Sequence, residues 1–214
     1  MADISAEMVR KLREETGAGM MDCKSALVEA GADVEKARDV LRKKGLATAA
    51  KKAGRTTSEG IVGTYIHPGA RIGVLVEVDC ETDFVAKTPE FQTLVKEIAM
   101  HIAAANPLYV TKEEVPGNVL DKEKEIYKAQ AAAAGKPAAV QEKIAEGKLK
   151  QYLSDVCLLE QPFVRENEKT VGQLIQEKIG LIKENIVVRR FARFKVGEEA
   201  RATGAAEAET AAAP

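Results

Sequence analysis

The strongest constraint on the fold is the segment RIGVLVEVDC at residues 71–80, in which every second side chain is apolar. Because successive side chains of a β-strand point to opposite faces of a sheet, it predicts a strand with one face on a core. The run GIVGTYIH lies before it, and the intervening Pro68, Gly69 and Ala70 predict a hairpin turn. The predicted core face of the strand carries Ile72, Val74, Val76, Val78 and Cys80, and the opposite face carries Arg71, Glu77 and Asp79.

A further strand can extend this sheet, and two helices can cover it. The run NIVVRRFARFKV also alternates and predicts a third antiparallel strand, with Arg190 as the exception to its apolar face. Helical spacing predicts a helix that starts at Thr88 and Pro89 and stops at Asn106, and another near residues 170–182. The apolar face of the third strand carries Ile186, Val188, Ala192, Phe194 and Val196, and the first helix carries Phe91, Leu94, Val95, Ile98 and Ile102.

Residues 1–46 predict a bundle of three short helices, similar in build to ubiquitin-associated (UBA) domains. Ser5 is placed to cap the first helix, Asp22 to open the second and Asp33 to cap the third. Residues 42–55 carry six basic and no acidic side chains, which predicts a mobile basic linker over 47–58. A nucleic-acid patch is the alternative, although the segment lacks aromatic residues for base stacking.

The predicted fold class is therefore α+β, with an antiparallel three-stranded sheet covered by helices in a core domain over residues 59–197. Within it, two polar helices at about 118–151 meet at the sequence GKP and predict an antiparallel helical arm that projects from the body. Residues 198–214 consist largely of Ala and Glu and predict a disordered tail.

Composition excludes several functional classes. The chain has 32 Lys and Arg against 33 Asp and Glu, so it has no global basic field to attract nucleic acid or an anionic membrane. Cys23, Cys80 and Cys157 are far apart, which favours buried thiols in a reducing compartment. The first residues lack the apolar run of a signal peptide, and no segment has the ~20 apolar residues of a membrane helix. We expect a cytoplasmic protein without membrane or direct nucleic-acid partners.

No arrangement of residues predicts an enzyme. The chain has 2 His, His67 at the hairpin turn and His101 in a core-facing helix, and neither has a second His at ligand spacing. Asp79, Glu81 and Asp83 alternate, but three exposed carboxylates without further ligands are typical of a solvated strand edge. We expect no bound metal and no cofactor.

Phe84 is the residue that these patterns do not explain. It follows the predicted strand in an acidic turn, at a place where loops carry function. General physical chemistry favours a Phe84 that turns inward and caps the core, and leaves an outward Phe84 open.

Two longer blocks carry a resemblance to a known family. The sequence KLREETGAGMMDCKSAL at residues 11–27 and VLVEVDCETDFVA at residues 74–86 resemble translation elongation factor Ts, in a short form with a single core. Further similar segments are GARIGVLVEV, GKP, LLEQPFV and KTVGQLI, so the resemblance runs from about residue 1 to 197. It implies a guanine nucleotide exchange factor for elongation factor Tu that performs no covalent chemistry.

The resemblance also implies which residues contact the GTPase. Thr82, Asp83, Phe84 and Val85 would enter its magnesium and phosphate site, with Phe84 as a wedge and Asp83 helping to displace the elements that hold magnesium. Exchange would follow because a factor that prefers the nucleotide-free partner must weaken GDP binding. Further candidate contacts are Arg13, Met20, Met21 and His67.

The resemblance to short members of this family also implies a homodimer. We expect its interface to be the sheet or the region near the last strand. Two other functions stay open on the residues alone. One is a UBA-like adapter that acts through residues 1–46, and the other is an RNA-binding adapter that uses the basic segment and the arm.

Overall fold

The computed structural model describes residues 4–198, which form eight α-helices and five β-strands. The predicted α+β class is confirmed, whereas the predicted tail lies outside the described residues apart from Glu198. In chain order the elements are α1 (Ala6–Thr16), α2 (Met20–Glu29), α3 (Val34–Lys52), β1 (Glu59–Ile66), β2 (Ile72–Cys80), α4 (Asp83–Ala86), α5 (Pro89–Ala105), α6 (Gly117–Ala133), α7 (Ala138–Val156), β3 (Pro162–Phe163), β4 (Glu166–Thr170), α8 (Val171–Ile182) and β5 (Ile186–Lys195).

The predicted three-stranded antiparallel sheet is confirmed, and β2 is its central strand. β1 pairs with one edge of β2 and β5 with the other, so that Ile61 and Val188 both lie opposite Val78. Val74, Val76, Val78 and Cys80 are buried, as the alternation predicts. β3 and β4 form a separate two-stranded ribbon.

The last strand departs from its predicted alternation at a β-bulge. Its pairing with β2 shifts by one residue at Arg189. Because an extra residue in a strand reverses the faces of the side chains that follow, Phe191 packs on the core instead of Phe194. The prediction was wrong for Ala192, which lies opposite the exposed Leu75. It was also wrong for Phe194 and Val196, which are 67% and 56% exposed.

α5 covers the core face of the sheet, and α8 adds apolar side chains to the same hydrophobic core. Thr88 caps α5 through a hydrogen bond from the Phe91 N–H, and Asn106 ends the helix in a left-handed conformation, as predicted. A Cβ on Gly63 would come within 2.3 Å of the Val95 side chain, so α5 lies directly against β1. The five residues predicted for the apolar face of α5 are all buried, namely Phe91, Leu94, Val95, Ile98 and Ile102.

Three helices precede the sheet and share a small hydrophobic cluster. Ser5 and Asp33 cap α1 and α3 as predicted. The prediction that Asp22 opens α2 was wrong, because Gly19 is the N-cap and Asp22 lies within the first turn. There its carboxylate faces the positive end of the helix dipole. The buried members of the cluster are Val9, Leu12, Ala18, Cys23, Ala26, Leu27 and Ala37.

α3 extends beyond its predicted end near Leu46. It continues to Lys52, so the first part of the expected linker over 47–58 is helical. Three of the four residues 47–50 are alanines, which favour helix. Ala49 packs in the core of the sheet, whereas Ala37 of the same helix packs in the N-terminal cluster. The domain division itself stays a prediction.

α3 also crosses α8 at two glycines. The backbones approach so closely that a Cβ on Gly180 would come within 2.7 Å of the Gly45 Cα. Only a residue without a Cβ permits this approach at Gly180. The crossing therefore holds α3 against a helix that contributes to the main hydrophobic core.

α6 and α7 contain few buried side chains and pack mainly on each other. Lys124 and Lys128 of α6 both form ion pairs with Glu142 of α7. Lys148 Nζ donates to Gln130 Oε1 at 2.6 Å, which adds a further link between the two helices. Their projection as an arm stays a prediction.

His101 is fully buried and joins α5 to Gln161, just before the β3–β4 ribbon, and to Val164 within it. Its Nδ1 accepts from the Val164 N–H at 3.3 Å, so its Nε2 carries the proton and donates to Gln161 Oε1 at 2.9 Å. Gln161 in turn donates to the Asp155 carbonyl at 2.7 Å. Burial lowers the pKa of His101. The neutral ring is therefore structural.

This network predicts that stability falls as the pH drops below 6.5, the ordinary pKa of His101. Below this pH the unfolded chain binds a proton at His101. In the folded chain the buried ring resists protonation, because its Nδ1 accepts a hydrogen bond. His101→Gln removes the titration, so urea unfolding at pH 7.5 and 5.5 should show a smaller pH effect than in the wild type. His67→Gln, at the exposed histidine, is the control and should keep the wild-type pH effect. If the wild type and both variants lose the same stability between pH 7.5 and 5.5, His101 is not the source of the pH effect.

Candidate partner-binding site

Phe84 lies on a one-turn helix between the sheet and α5. The chain leaves β2 at Cys80, forms α4 (Asp83–Ala86) and reaches the cap of α5 at Thr88. Ala86 is buried and Val85 packs on the core, whereas Phe84 is 80% exposed. The alternative in which Phe84 caps the core was therefore wrong.

Asp83 lies beside Phe84 and stays charged. Its carboxylate accepts from Lys87 Nζ at 2.6 Å, one turn further along the chain. This hydrogen bond holds the pKa of Asp83 below its ordinary value. The turn therefore presents an ionised carboxylate next to an exposed aromatic ring.

Thr82 is turned toward the protein and supports the turn. Its N–H donates to Glu184 Oε2 at 3.0 Å and its hydroxyl donates to Glu184 Oε1 at 2.7 Å. The same hydroxyl accepts from the Val85 N–H at 3.4 Å and so caps α4. The sequence pattern did not identify Glu184, because 102 residues separate it from Thr82.

Glu81 anchors the preceding residue to two other elements. It accepts from the Asn185 N–H at 2.7 Å and from Arg55 at 3.2 Å, and Lys52 lies 3.6 Å away. The Asn185 N–H, followed by Arg55 and Lys52, holds the pKa of Glu81 below its ordinary value. Asn185 also donates through its side chain to the Arg55 carbonyl at 2.8 Å. This joins the end of α3 to the start of β5.

The three alternating carboxylates do not come together as a metal site. Asp79 lies on the outer face of the sheet, where burial and then the charge of Glu77 raise its pKa. Glu81 and Asp83 each have the separate cationic partners described above. Among residues 4–198, no group of three or more His, Cys, Asp or Glu could hold a metal ion.

The three cysteines are free and buried in the described structure. Burial raises the pKa of Cys80 and of Cys157 to about 11. The Cys80 thiol donates to the Thr82 carbonyl at 3.1 Å. At neutral pH these two groups are thiols rather than nucleophilic thiolates.

The remaining candidate residues lie on other elements than α4. Met20 and Met21 are exposed at the start of α2, and Arg13 is exposed on α1. Val28 adds a third exposed apolar side chain on α2, which the sequence pattern did not identify. His67 lies at the hairpin turn, where its Nδ1 is 3.2 Å from the Tyr65 hydroxyl.

His67 and Phe84 lie toward opposite ends of β2. The strand has nine residues, which at about 3.3 Å per residue separates its ends by roughly 26 Å. The described structure therefore does not bring the hairpin turn and Phe84 into one site.

Comparison with known proteins identifies the family. The family model described as Elongation factor TS matches residues 3–198. The chain belongs to the elongation factor Ts family. This confirms the resemblance in residues 11–27 and 74–86 and implies a role in translation elongation.

Curated relatives named Elongation factor Ts match over nearly their full lengths. The protein of Caldanaerobacter subterraneus subsp. tengcongensis is 64% identical over 195 residues, which cover 91% of this chain and 98% of the relative. That of Thermoanaerobacter sp. is 61% identical over 195 residues, covering 91% and 96%. That of Solibacter usitatus is 57% identical over 198 residues, covering 92% and 93%.

Within residues 4–198, no helix combines the length and the apolar character needed to span a membrane.

Proposed function

We propose that this chain is a guanine nucleotide exchange factor for elongation factor Tu and acts in the cytoplasm. Membership of the elongation factor Ts family supports the role in elongation. The observation that carries the proposed mechanism is the 80% exposure of Phe84 on a turn anchored to the core. No covalent step is required, so we do not assign an enzymatic reaction.

Phe84 acts as the wedge in this proposal. Folding leaves its ring in water, and burying an aromatic side chain of this size contributes roughly 1.5–3 kcal/mol. A pocket between side chains of the GTPase would recover that free energy. Because α4 is attached to β2 on one side and α5 on the other, the ring can displace groups of the GTPase without retreating into its own protein.

Asp83 is the electrostatic partner of the wedge. The magnesium ion belongs to the GTPase, where it bridges the phosphates and is the largest local charge. An ionised carboxylate that enters beside Phe84 would disturb the elements that hold this ion. Weaker magnesium coordination then loosens GDP.

Linkage explains why such binding produces exchange. If the factor binds nucleotide-free elongation factor Tu more tightly than the GDP complex, it must weaken GDP binding by the same ratio. GTP then binds to the empty site and releases the factor, which is not consumed.

The N-terminal helices would supply a second contact with the GTPase. Met20, Met21 and Val28 expose adaptable apolar surface on α2, and Arg13 adds a positive charge on α1. We include His67 as a separate candidate contact at the hairpin turn. We assign Thr82 and Val85 to the support of the turn, and Asp83 and Phe84 to direct contact.

This mechanism predicts a large loss of exchange in Phe84→Ala. Truncating a buried aromatic anchor costs about 2 kcal/mol or more, so kcat/KM for GDP release should fall by about thirtyfold or more. The measurement is release of fluorescent GDP from elongation factor Tu at catalytic concentrations of the chain. Leu108→Ala, which truncates an exposed apolar residue away from α4, is the control and should retain wild-type exchange. Full exchange by Phe84→Ala would reject the wedge.

We also propose that the chain forms a homodimer through the outer face of the sheet. Four large apolar side chains, Val62, Ile66, Leu75 and Phe194, are exposed there. The pairings of Ile66 and Phe194 with Gly73 place these two side chains on the same face of neighbouring strands. A second copy offers the same apolar face, as an isologous interface requires.

The proposed dimer predicts that Phe194→Glu is monomeric. A carboxylate at this position would have to be buried without a partner when two sheets pack face to face. Size-exclusion chromatography with light scattering should give twice the chain mass for the wild type and one chain mass for the variant. Phe84→Glu makes the same change at an exposed Phe outside the interface and should remain dimeric. A monomeric wild type would contradict the proposal.

A further inference from the structure

The connection between α8 and β5 contacts three other parts of the protein with three consecutive residues. Lys183 Nζ lies 3.4 Å from Asp22 Oδ2 on α2. Glu184 accepts both hydrogen bonds from Thr82, and Asn185 binds Glu81 and the Arg55 carbonyl. One short connection thus joins the N-terminal helices, the turn that carries Phe84 and the end of α3.

We infer that Glu184 is a positioning residue for nucleotide exchange, which orients Phe84 through Thr82. This inference rests on the proposed function. Glu184 does not contact the GTPase in this account. It sets the direction of the short helix from which Phe84 projects.

The geometry of the carboxylate supports this role. Its two oxygens receive the N–H and the hydroxyl of one residue, at 3.0 and 2.7 Å. The pair fixes the backbone and the side chain of Thr82 together. Among residues 4–198, Glu184 takes part in no ion pair, so its described polar contacts are all made to Thr82.

The fixed hydroxyl of Thr82 then determines where α4 begins. It accepts the Val85 N–H, which caps the helix. α4 has four residues, and a single isolated turn is unfavourable because its ordering entropy exceeds the gain from one hydrogen bond. Phe84 makes no buried contact that could hold its own direction, since its side chain lies in water. Its orientation therefore depends on the turn, which Val85 and Ala86 hold against the core and whose start is fixed by the Thr82 cap with the support of Glu184.

The position of Glu184 is fixed by the residues on each side of it. Lys183 has a left-handed conformation with φ +66°, and its N–H donates to the Ile179 carbonyl at 2.9 Å, which ends α8. Asn185 is buried and bonded through its main chain and side chain. Glu184 is held between these two points and reaches Thr82 from a rigid support.

The inference predicts slower exchange in Glu184→Gln. The amide can accept one of the two hydrogen bonds, but its NH₂ group faces a second donor, so kcat/KM for GDP release should fall about fivefold. Thr82→Val should give a similar loss, because it removes the hydroxyl at nearly constant shape. Thr82→Ser keeps the hydroxyl and should lose less exchange than Thr82→Val. Glu97→Gln makes the same change at a half-buried glutamate that pairs with Arg165. As the matched control it should retain wild-type exchange.

A double-mutant cycle with Phe84→Ala separates positioning from a general structural effect. If Glu184 acts through Phe84, then Glu184→Gln causes no further loss in the Phe84→Ala background. Multiplicative losses would overturn the inference, and so would wild-type exchange in both Glu184→Gln and Thr82→Val. If Glu184→Gln fails to fold, the Thr82→Val cycle decides by the same criteria.

A second measurement does not depend on the proposed function. Hydrogen exchange should show weaker protection of the Thr82 and Val85 amides in Glu184→Gln than in wild type. Unchanged protection would overturn the inference even if the exchange activity of the wild type is as proposed. If the wild-type chain fails to accelerate GDP release, the proposed function is rejected and the positioning role falls with it, whatever the amides show.

Discussion

The packing of α5 on the sheet is the contact on which the rest of the structure depends. Val95 approaches Gly63 so closely that no side chain could replace the glycine hydrogen without movement. This contact fixes α5 relative to β1 and, through their pairing, relative to β2. Because α4 lies in the short connection between β2 and α5, both of its ends are attached to packed elements. An exposed ring on such a turn has a defined direction although it has no pocket of its own.

The described structure also links the turn to distant parts of the chain. Glu81 reaches α3 and the start of β5, and Thr82 reaches Glu184. α3 contributes to both hydrophobic clusters and crosses α8 at the glycine pair. The N-terminal helices and Phe84 are therefore held by one connected set of contacts. In the proposed function, binding at the first surface can direct the wedge at the second.

The parts of the fold that depend on local pattern could be predicted from the sequence. The alternation in β2, the Ser5, Asp33 and Thr88 caps and the face of α5 follow from residues close in sequence. Arg190 breaks the predicted apolar face and was a sign of the bulge at Arg189, but alternation alone does not show where the strand pairing shifts. The extension of α3 agrees with the helix propensity of its alanines, but the burial of Ala49 in the core of the sheet could not be predicted from local pattern. Glu184 could not be predicted, because its contact with Thr82 joins residues 102 positions apart in the sequence.

The central claim is that Phe84 is held outward in order to enter the GTPase. The most direct measurement places 4-fluorophenylalanine at position 84 alone and records ¹⁹F spectra of the chain, free and bound to nucleotide-free elongation factor Tu. The free protein should show a solvent isotope shift between H₂O and D₂O, because the ring is 80% exposed. The account predicts that this isotope shift disappears in the complex. A complex that forms while the ring keeps its full isotope shift would contradict it.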